Sequence, residues 1–114
     1  MIVRIASVQV APDLADEIVG RYRETVRPIH QRAEGLRNYY VLVDRHSGWM
    51  RLIGFRDSQE VLDAAITTLE PARERLWGGF GVTPSLEAYK VTDRIKKVSP
   101  RRVGLGNLTS LRNR

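Results

Sequence analysis

Few side chains in this sequence are of a type that could act as a base within an apolar setting. The chain has no cysteine and only two histidines, His30 and His46, which excludes thiolate chemistry and leaves little for a zinc site. We therefore expect no metal centre. His30 lies between the apolar positions Ile29 and Ala33, which makes it a candidate base, although a structural role near a helix end is the favoured interpretation. His46 falls in a predicted turn, where we expect it to be solvated.

Arg51 is a basic residue within an otherwise apolar row. Because side chains alternate along a strand, Arg51 shares a face with Trp49 and Ile53. A charge in such a row needs a partner, which is either a carboxylate across the sheet or an anionic ligand in a cavity. The ion pair is the favoured alternative.

The net charge of the chain belongs to its C-terminal segment. The sequence has 114 residues and a formal net charge of +6, and its length fits one domain. Residues 1–92 contain twelve basic and twelve acidic residues, whereas residues 93–114 contain seven basic residues and one acidic residue. We predict a folded domain over 1–92 and a basic extension over 93–114.

The extension has two possible partners. Basic residues could contact phosphates, but the segment lacks the aromatic residues that stack on bases, so nucleic acid is disfavoured. Apolar positions within it favour an arm that packs on a partner subunit, namely Val103, Leu105, Leu108 and Leu111. No apolar run is long enough for a membrane span and no leader pattern is present, so a cytoplasmic location is expected.

The hydrophobic periodicity predicts alternating strands and helices. Asp13 and Ser58 are expected as the N-caps of the two helices, and Pro28 is expected to kink or restart the first. The predicted order is a strand over 2–10, a helix over 14–36, a hairpin of strands over 39–43 and 49–55, a helix from 58 to about 77 and a strand over 86–91. This βαββαβ order predicts an α+β, ferredoxin-like domain, with a four-stranded antiparallel sheet and two helices on one face.

Both faces of that sheet are predicted to be apolar. In the hairpin, one face carries Tyr39 and Val41 while the other carries Tyr40 and Leu42. Two helices cover only one face, so the other needs a second subunit, a ligand or both. A homodimer is the commonest solution.

With these elements in place, the chain resembles the antibiotic biosynthesis monooxygenase-like family of dimeric α/β barrels. The resemblance covers residues 1–92 and rests on the element order, a first helix that ends near Gly35, YYVLVDRHSG across the hairpin and FRDSQEVLDA into the second helix. It implies two sheets packed face to face in a dimer, with a cavity between sheet and helices in each subunit.

The resemblance also implies an activity. Family members oxygenate phenolic or quinol substrates without a cofactor, or break down haem, and many have no established activity. Family members often carry Trp where this chain has Arg56, and the His and Asn of haem-degrading relatives are missing, so haem breakdown is disfavoured.

Cofactor-free oxygenation needs a base, a group that holds the substrate anion and a dry apolar pocket. In this sequence His30 is the candidate base, and Arg51 or Arg56 is the candidate anion holder. The aromatic residues that could form a wall for a small aromatic ligand are Tyr39, Tyr40, Trp49 and Trp77. For these four, a place in the core or at a dimer interface is the favoured alternative. A monooxygenase without metal or flavin is thus one hypothesis, and a non-catalytic ligand-binding or dimeric interaction protein is the other.

Overall fold

The computed structural model describes residues 1–98, which form four strands and three helices. The elements are β1 (Ile2–Gln9), α1 (Pro12–Thr25), α2 (Arg27–Gln31), β2 (Leu36–Asp44), β3 (Trp49–Arg56), α3 (Gln59–Gly78) and β4 (Ser85–Lys90). The predicted first helix is divided at Val26, and Pro28 lies in the first turn of α2. The expected restart near Pro28 is therefore confirmed.

Local signals account for the helix ends, with one exception. The Ser58 hydroxyl accepts a hydrogen bond from the backbone N–H of Val61 at 3.2 Å, which confirms Ser58 as the N-cap of α3. The prediction for Asp13 is wrong. Helix α1 begins at Pro12, because proline suits the first helical position, and Ala11 precedes it without a side-chain cap.

The four strands form one antiparallel sheet in the order β2-β3-β1-β4. Strands β2 and β3 are the predicted hairpin, and β1 lies between β3 and β4. The helices pack on one face, which we call the inner face; the outer face carries Tyr40, Leu42, Trp49, Arg51 and Phe55. The predicted ferredoxin-like class and the division of the hairpin residues between two faces are confirmed.

The hydrophobic core lies between the inner face and the helices. Met50 of β3 and Ile18 of α1 are fully buried, and Leu69 and Leu76 contribute from α3. Each such side chain stabilises the fold by about 1.5–3 kcal/mol relative to an exposed position. Trp77 joins this cluster with 7% of its surface exposed. Most of its side chain therefore fills the core, which was its favoured interpretation, and its remaining surface contributes to a shallow pocket with Arg73 and Leu86.

The remaining predictions on organisation concern the C-terminal end. Strand β4 ends at Lys90, and the predicted boundary between 92 and 93 stays a prediction. The apolar anchors Val103, Leu105, Leu108 and Leu111 lie outside the described residues.

Within residues 1–98, no helix has the length and apolar character needed to cross a membrane. The same part of the chain holds no group of three or more metal-ligating side chains.

Candidate functional site

The inner face of the sheet is apolar at one end and polar at the other. In register, Gly54 of β3 lies between Tyr39 of β2 and Arg4 of β1, and Arg56 lies in the next inner row. These four positions form the polar end. The apolar end consists of Val8, Val41, Val43, Met50 and Leu52.

Two aromatic rings and a histidine meet above the polar end. The Tyr22 hydroxyl lies 3.0 Å from Nδ1 of His30, at hydrogen-bond distance. The ring centroids of His30 and Tyr39 are 4.0 Å apart, and those of Tyr22 and Tyr39 are 5.7 Å apart in a stacked arrangement. The predicted base His30 and the predicted wall residue Tyr39 are thus in direct contact, on the consecutive elements α2 and β2.

Burial sets the charge state of this cluster. It lowers the pKa of His30 to about 4, and the charges of Arg56 and Arg73 act in the same direction. Burial also raises the pKa of Tyr22 to about 12 and raises the pKa of Tyr39. At neutral pH His30 is therefore a neutral imidazole between two neutral phenols. The ring is 6% exposed and lies in the last turn of α2, so its burial agrees with the favoured structural role and leaves its role as a base a prediction.

Arg56 is the most unusual side chain of the cluster. Only 4% of its surface is exposed, and its Nε has no hydrogen-bond partner among the described residues. No carboxylate within residues 1–98 forms an ion pair with it. Burial lowers the pKa of this guanidinium, although an arginine remains charged at neutral pH. A buried donor without a partner is costly, and each such group in a folded protein calls for a physical explanation, such as a catalytic role or a bound water or ion.

A glycine makes room for this guanidinium. A Cβ placed on Gly54 would lie 2.8 Å from Nη1 of Arg56 and 3.0 Å from Cδ1 of Tyr39. The Arg56 side chain therefore folds back over Gly54 and lies beside the Tyr39 ring. Any larger residue at position 54 would push these two groups apart.

Two further arginines extend the positive charge. Burial lowers the pKa of Arg4, and the charges of Arg73 and Arg56 lower it further. Arg73 of α3 pairs with Glu70 one turn earlier. We call Arg4, Arg56 and Arg73 the arginine cluster. The charge of Glu70 raises the pKa of Arg4, and no carboxylate contributes to the shift in the pKa of Arg56.

A mainly apolar groove lies between α2 and α3, and its lining also includes the carboxylates Glu34, Asp57 and Glu60. Its volume is about 880 Å³, which is in the range of sites for drug-sized ligands. Ile29 and Leu69, the sequence neighbours of His30 and Glu70, lie on its two walls. Its other apolar lining residues include Ala33, Val61, Ala64 and Ala65.

The other predicted site residues lie on the outer face. The guanidinium of Arg51 lies 5.0 Å from the ring centroid of Trp49, and Tyr40 contacts Phe55 edge-to-face. Arg51 makes no ion pair with any residue in the range 1–98, so the favoured ion pair is not found there. Because His30 lies on the inner face, the predicted catalytic pair of His30 and Arg51 does not form one site within a protomer.

Sequence reasoning missed three residues of the inner cluster: Arg4, Tyr22 and Arg73. Arg4 shares the inner face with Ile2 and Ala6, because residues two apart in a strand point to the same side. This spacing was a visible signal of a charge facing the helices. Arg73 follows the buried Leu69 by one helical turn and so lies on the same side of α3, which was a similar signal of a charge facing the sheet. Tyr22 offered none, because a tyrosine within an apolar helical stripe is most often a core residue.

The fold and the site together define a ferredoxin-like protein with a cationic, aromatic cluster between sheet and helices. No protein-family model matches the sequence. Two curated relatives, both uncharacterised proteins of Mycobacterium tuberculosis, are 27% identical over 88 residues, which is 77% of this chain. The chain spans 39% of the length of those relatives.

Solved structures share the fold at low sequence identity. A candidate antibiotic biosynthesis monooxygenase of Deinococcus radiodurans superposes with a TM-score of 0.70 and 13% identity, over 87% of this chain and all of that one. A monooxygenase of Streptomyces coelicolor from the gene ActVA-Orf6, solved with the ligand nanaomycin D, also gives 0.70, at 14% identity over 85% of this chain and 92% of that one. The fold implied by the resemblance in sequence is thereby confirmed.

Proposed function

We propose that this chain binds a small phenolic or quinol-type aromatic compound at the inner-face cluster and oxygenates it without a cofactor. The observation that carries the proposal is the buried Arg56 guanidinium, whose Nε has no partner within residues 1–98 and which lies by Tyr39, the ring that contacts His30. A phenolate oxygen would give that N–H the acceptor it lacks. A monooxygenase with the same fold binds the ligand nanaomycin D, which supports the proposal of ligand binding and oxygenation for this chain.

The proposed first step is removal of the substrate's phenolic proton by His30. Tyr22 contacts Nδ1, so Nε2 is the nitrogen left to accept the proton. Nδ1 then carries its own hydrogen and donates it to the Tyr22 hydroxyl oxygen, which fixes the ring. The phenolate formed beside Arg56 offsets the positive charges that lower the pKa of His30, so substrate binding makes His30 a stronger base.

The remaining steps use only the substrate and molecular oxygen. The phenolate transfers one electron to O₂, and the resulting radical pair joins through a new carbon–oxygen bond to a ring carbon ortho or para to the hydroxyl that carries a hydrogen. The peroxide takes the proton back from His30. The O–O bond then breaks as that ring carbon loses its hydrogen, so one oxygen atom becomes a quinone carbonyl and the other leaves as water.

Oxygen uptake tests this proposal. The wild-type protein should consume O₂ and form quinones with at least one member of a panel of naphthols and quinols. His30→Gln should lower the rate by about 10²-fold or more, as expected for a general base. His46→Gln, in the exposed turn between β2 and β3, is the matched control and should leave the rate unchanged. An absence of turnover across the panel would contradict the proposal.

One observation favours the alternative of non-catalytic binding. A base with a pKa of about 4 lies well below the optimum for proton transfer at neutral pH, so catalysis depends on the rise that the bound ligand produces. Thermal stabilisation by naphthols without O₂ uptake would favour a binding protein over an oxygenase.

We also propose that the outer face pairs with a second copy of the chain. Tyr40 and Leu42 are 49% and 47% exposed there, next to Trp49 and Phe55. An apolar sheet face of this kind is typical of an interface. Leu42→Glu should convert a dimer into a monomer, as measured by light scattering after size exclusion. Thr67→Glu, on the exposed side of α3, should keep the dimer, and a monomeric wild-type protein would refute the proposal.

The basic segment 93–114 remains a proposed extension that packs on the partner subunit. A chain truncated after Asp93 should then dimerise more weakly than the full-length chain. An unchanged dimer dissociation constant would exclude a role for this segment in assembly.

A further inference from the structure

A separate cavity lies at the edge of the sheet, between α1 and the edge strand β2. We call it the edge cavity. Its volume is about 520 Å³, which is within the range of sites for small ligands. The lining residues come from the inner row of β2 and its continuation, from α1 and from the start of α2, and they are Tyr39, Val41, Val43, Arg45, Val19, Tyr22, Arg23 and Arg27.

The charged side chains that line the edge cavity within residues 1–98 are all arginines, namely Arg23, Arg27 and Arg45. Arg45 pairs with Asp16 at 2.7 Å. Arg23 and Arg27 form no ion pair with any residue in the range 1–98. The three arginines and Asp16 together therefore have a net charge of +2.

The contacts between α1 and β2 place the paired and the unpaired arginines at opposite ends of the edge cavity. Arg45 contacts Asp16 near the start of α1, whereas the stacked rings of Tyr22 and Tyr39 mark the other end, with centroids 5.7 Å apart. Asp16 and Tyr22 are six residues apart, which is about 9 Å along the helix axis. The two unpaired arginines follow Tyr22 in sequence and therefore share the tyrosine end.

Helix-end effects do not account for both unpaired arginines. Arg23 lies in the last turn of α1, where the helix dipole favours a positive charge, but Arg27 is the first residue of α2, where it does not. The two are four residues apart across Val26, whose backbone stays in the right-handed helical region. Like charges at this spacing on a helix repel one another. An anion bound between Arg23 and Arg27 would offset that repulsion.

The middle of the edge cavity is apolar. Val19, Val41 and Val43 are half-buried, because one side of each packs against the hydrophobic core and the other faces the cavity. A small inorganic anion at the tyrosine end would leave these valines uncovered. The lining is therefore suited to a ligand that joins an anionic group to an organic group.

We propose that the edge cavity binds a small phosphomonoester, with its phosphate held by Arg23 and Arg27 and its organic group against the three valines. A phosphomonoester carries nearly two negative charges at neutral pH and has three acceptor oxygens. It therefore matches both the net charge of +2 and the N–H donors of two guanidiniums, whereas a carboxylate supplies one charge. This site is independent of the proposed oxygenation, because neither His30 nor Arg56 lines the edge cavity.

Three matched probes test the proposal by calorimetry at neutral pH, in a buffer without phosphate and at fixed ionic strength. They are phenyl phosphate, benzoate, which has a single charge, and inorganic phosphate, which lacks the ring. The wild-type protein should bind phenyl phosphate about tenfold or more tightly than either of the other two. Equal dissociation constants for phenyl phosphate and either of these probes, or no binding of phenyl phosphate, would overturn the proposal.

Variants assign the phosphate to its residues. Arg23→Met and, independently, Arg27→Met should each weaken phenyl phosphate by about tenfold or more. Arg21→Met is the matched control, because it removes the same charge from α1, but Arg21 lies 5.6 Å from the ring centroid of Phe80 and does not line the edge cavity. It should change the affinity by less than about twofold.

The control also decides between a site and a general attraction to positive charge. All three arginines are exposed, so thermal unfolding should show that each variant keeps its fold. Equal weakening of phenyl phosphate by Arg21→Met and by the two cavity variants would mean that the ligand responds only to net charge, which would overturn the assignment.

Oxygen uptake separates this proposal from the oxygenase. Phenyl phosphate has no free phenolic hydroxyl for His30 to deprotonate, so its binding is not the binding of a substrate. Binding of phenyl phosphate without turnover of any naphthol or quinol supports this proposal and contradicts the oxygenase. Turnover of a naphthol with no binding of phenyl phosphate supports the oxygenase and contradicts this proposal.

Discussion

Replacing Arg56 with methionine should stabilise the protein in the absence of any ligand. The guanidinium is 4% exposed and its Nε has no partner within residues 1–98, so the folded state bears the cost of an unsatisfied, desolvated donor. Such a group costs about 1–3 kcal/mol. Methionine retains much of the apolar stem and carries no charge, so the variant removes this cost and keeps most of the packing.

The net gain is smaller than the full cost of the donor. Methionine has a shorter side chain than arginine, and the loss of about one buried methylene costs about 0.8 kcal/mol. Removing a positive charge near Arg4 and Arg73 adds to the gain. We expect the free energy of unfolding to rise by about 1 kcal/mol, which corresponds to an increase in Tm of about 4–8 °C for a domain of this size.

Thermal and urea unfolding followed by circular dichroism measure this change. Arg37→Met is the control, because Arg37 is exposed and pairs with Asp57, and it should change stability by less than about 0.5 kcal/mol. The same Arg56→Met variant should lose the thermal stabilisation that naphthols give the wild-type protein. A lower Tm for Arg56→Met, with Arg37→Met unchanged, would show that the buried guanidinium supports the fold and would refute the reasoning.

Two further predictions concern His30 and the glycines. The pKa of His30 is about 4 in the folded protein and about 6.5 in the unfolded chain, so the unfolded state binds the proton first as the pH falls. The free energy of unfolding should therefore drop by up to about 3 kcal/mol from pH 7 to pH 4. Urea unfolding should show a smaller drop in His30→Gln than in the wild-type protein, whereas His46→Gln should behave like the wild type. Gly35 has φ of +80°, and a Cβ there would lie 2.6 Å from Cγ1 of Val61, so Gly35→Ala should destabilise the protein by more than about 1 kcal/mol. Gly20 lies on α1 with open space around it, so Gly20→Ala should stabilise the protein by about 0.5–1 kcal/mol. Thermal unfolding measures both glycine variants, and equal effects would contradict the steric argument.

Most of what the sequence could predict about the site came from the alternation of side chains between the two faces of β3. A period of two places Trp49 and Arg51 on one face and Arg56 on the other, and the structure has this division. The same pattern shows that Arg51 and Arg56 cannot serve one site in a protomer. Sequence alone did not decide which face the helices cover, because both faces are apolar and the choice depends on the connections between strands.

The contact between Tyr22 and His30 could not be predicted from periodicity. On one continuous helix, residues eight apart are separated by about 12 Å along the axis and by about 80° around it. The break at Val26 redirects the chain and brings the Tyr22 hydroxyl to 3.0 Å from the His30 ring. Pro28 indicated a break, but the direction of α2 after it depends on packing against β2 and α3.

The charge that a ligand meets inside this domain differs from the charge of the domain as a whole. Residues 1–92 are neutral in sum, yet the arginine cluster and Glu70 together carry a net charge of +2. The rest of that range therefore carries nine basic and eleven acidic side chains and has a net charge of −2. A neutral total thus arises from opposite charges kept apart, and the buried positive charge is screened by salt far less than the surface is. The positions of the arginine cluster, and not the net charge of residues 1–92, therefore decide whether the domain binds an anion.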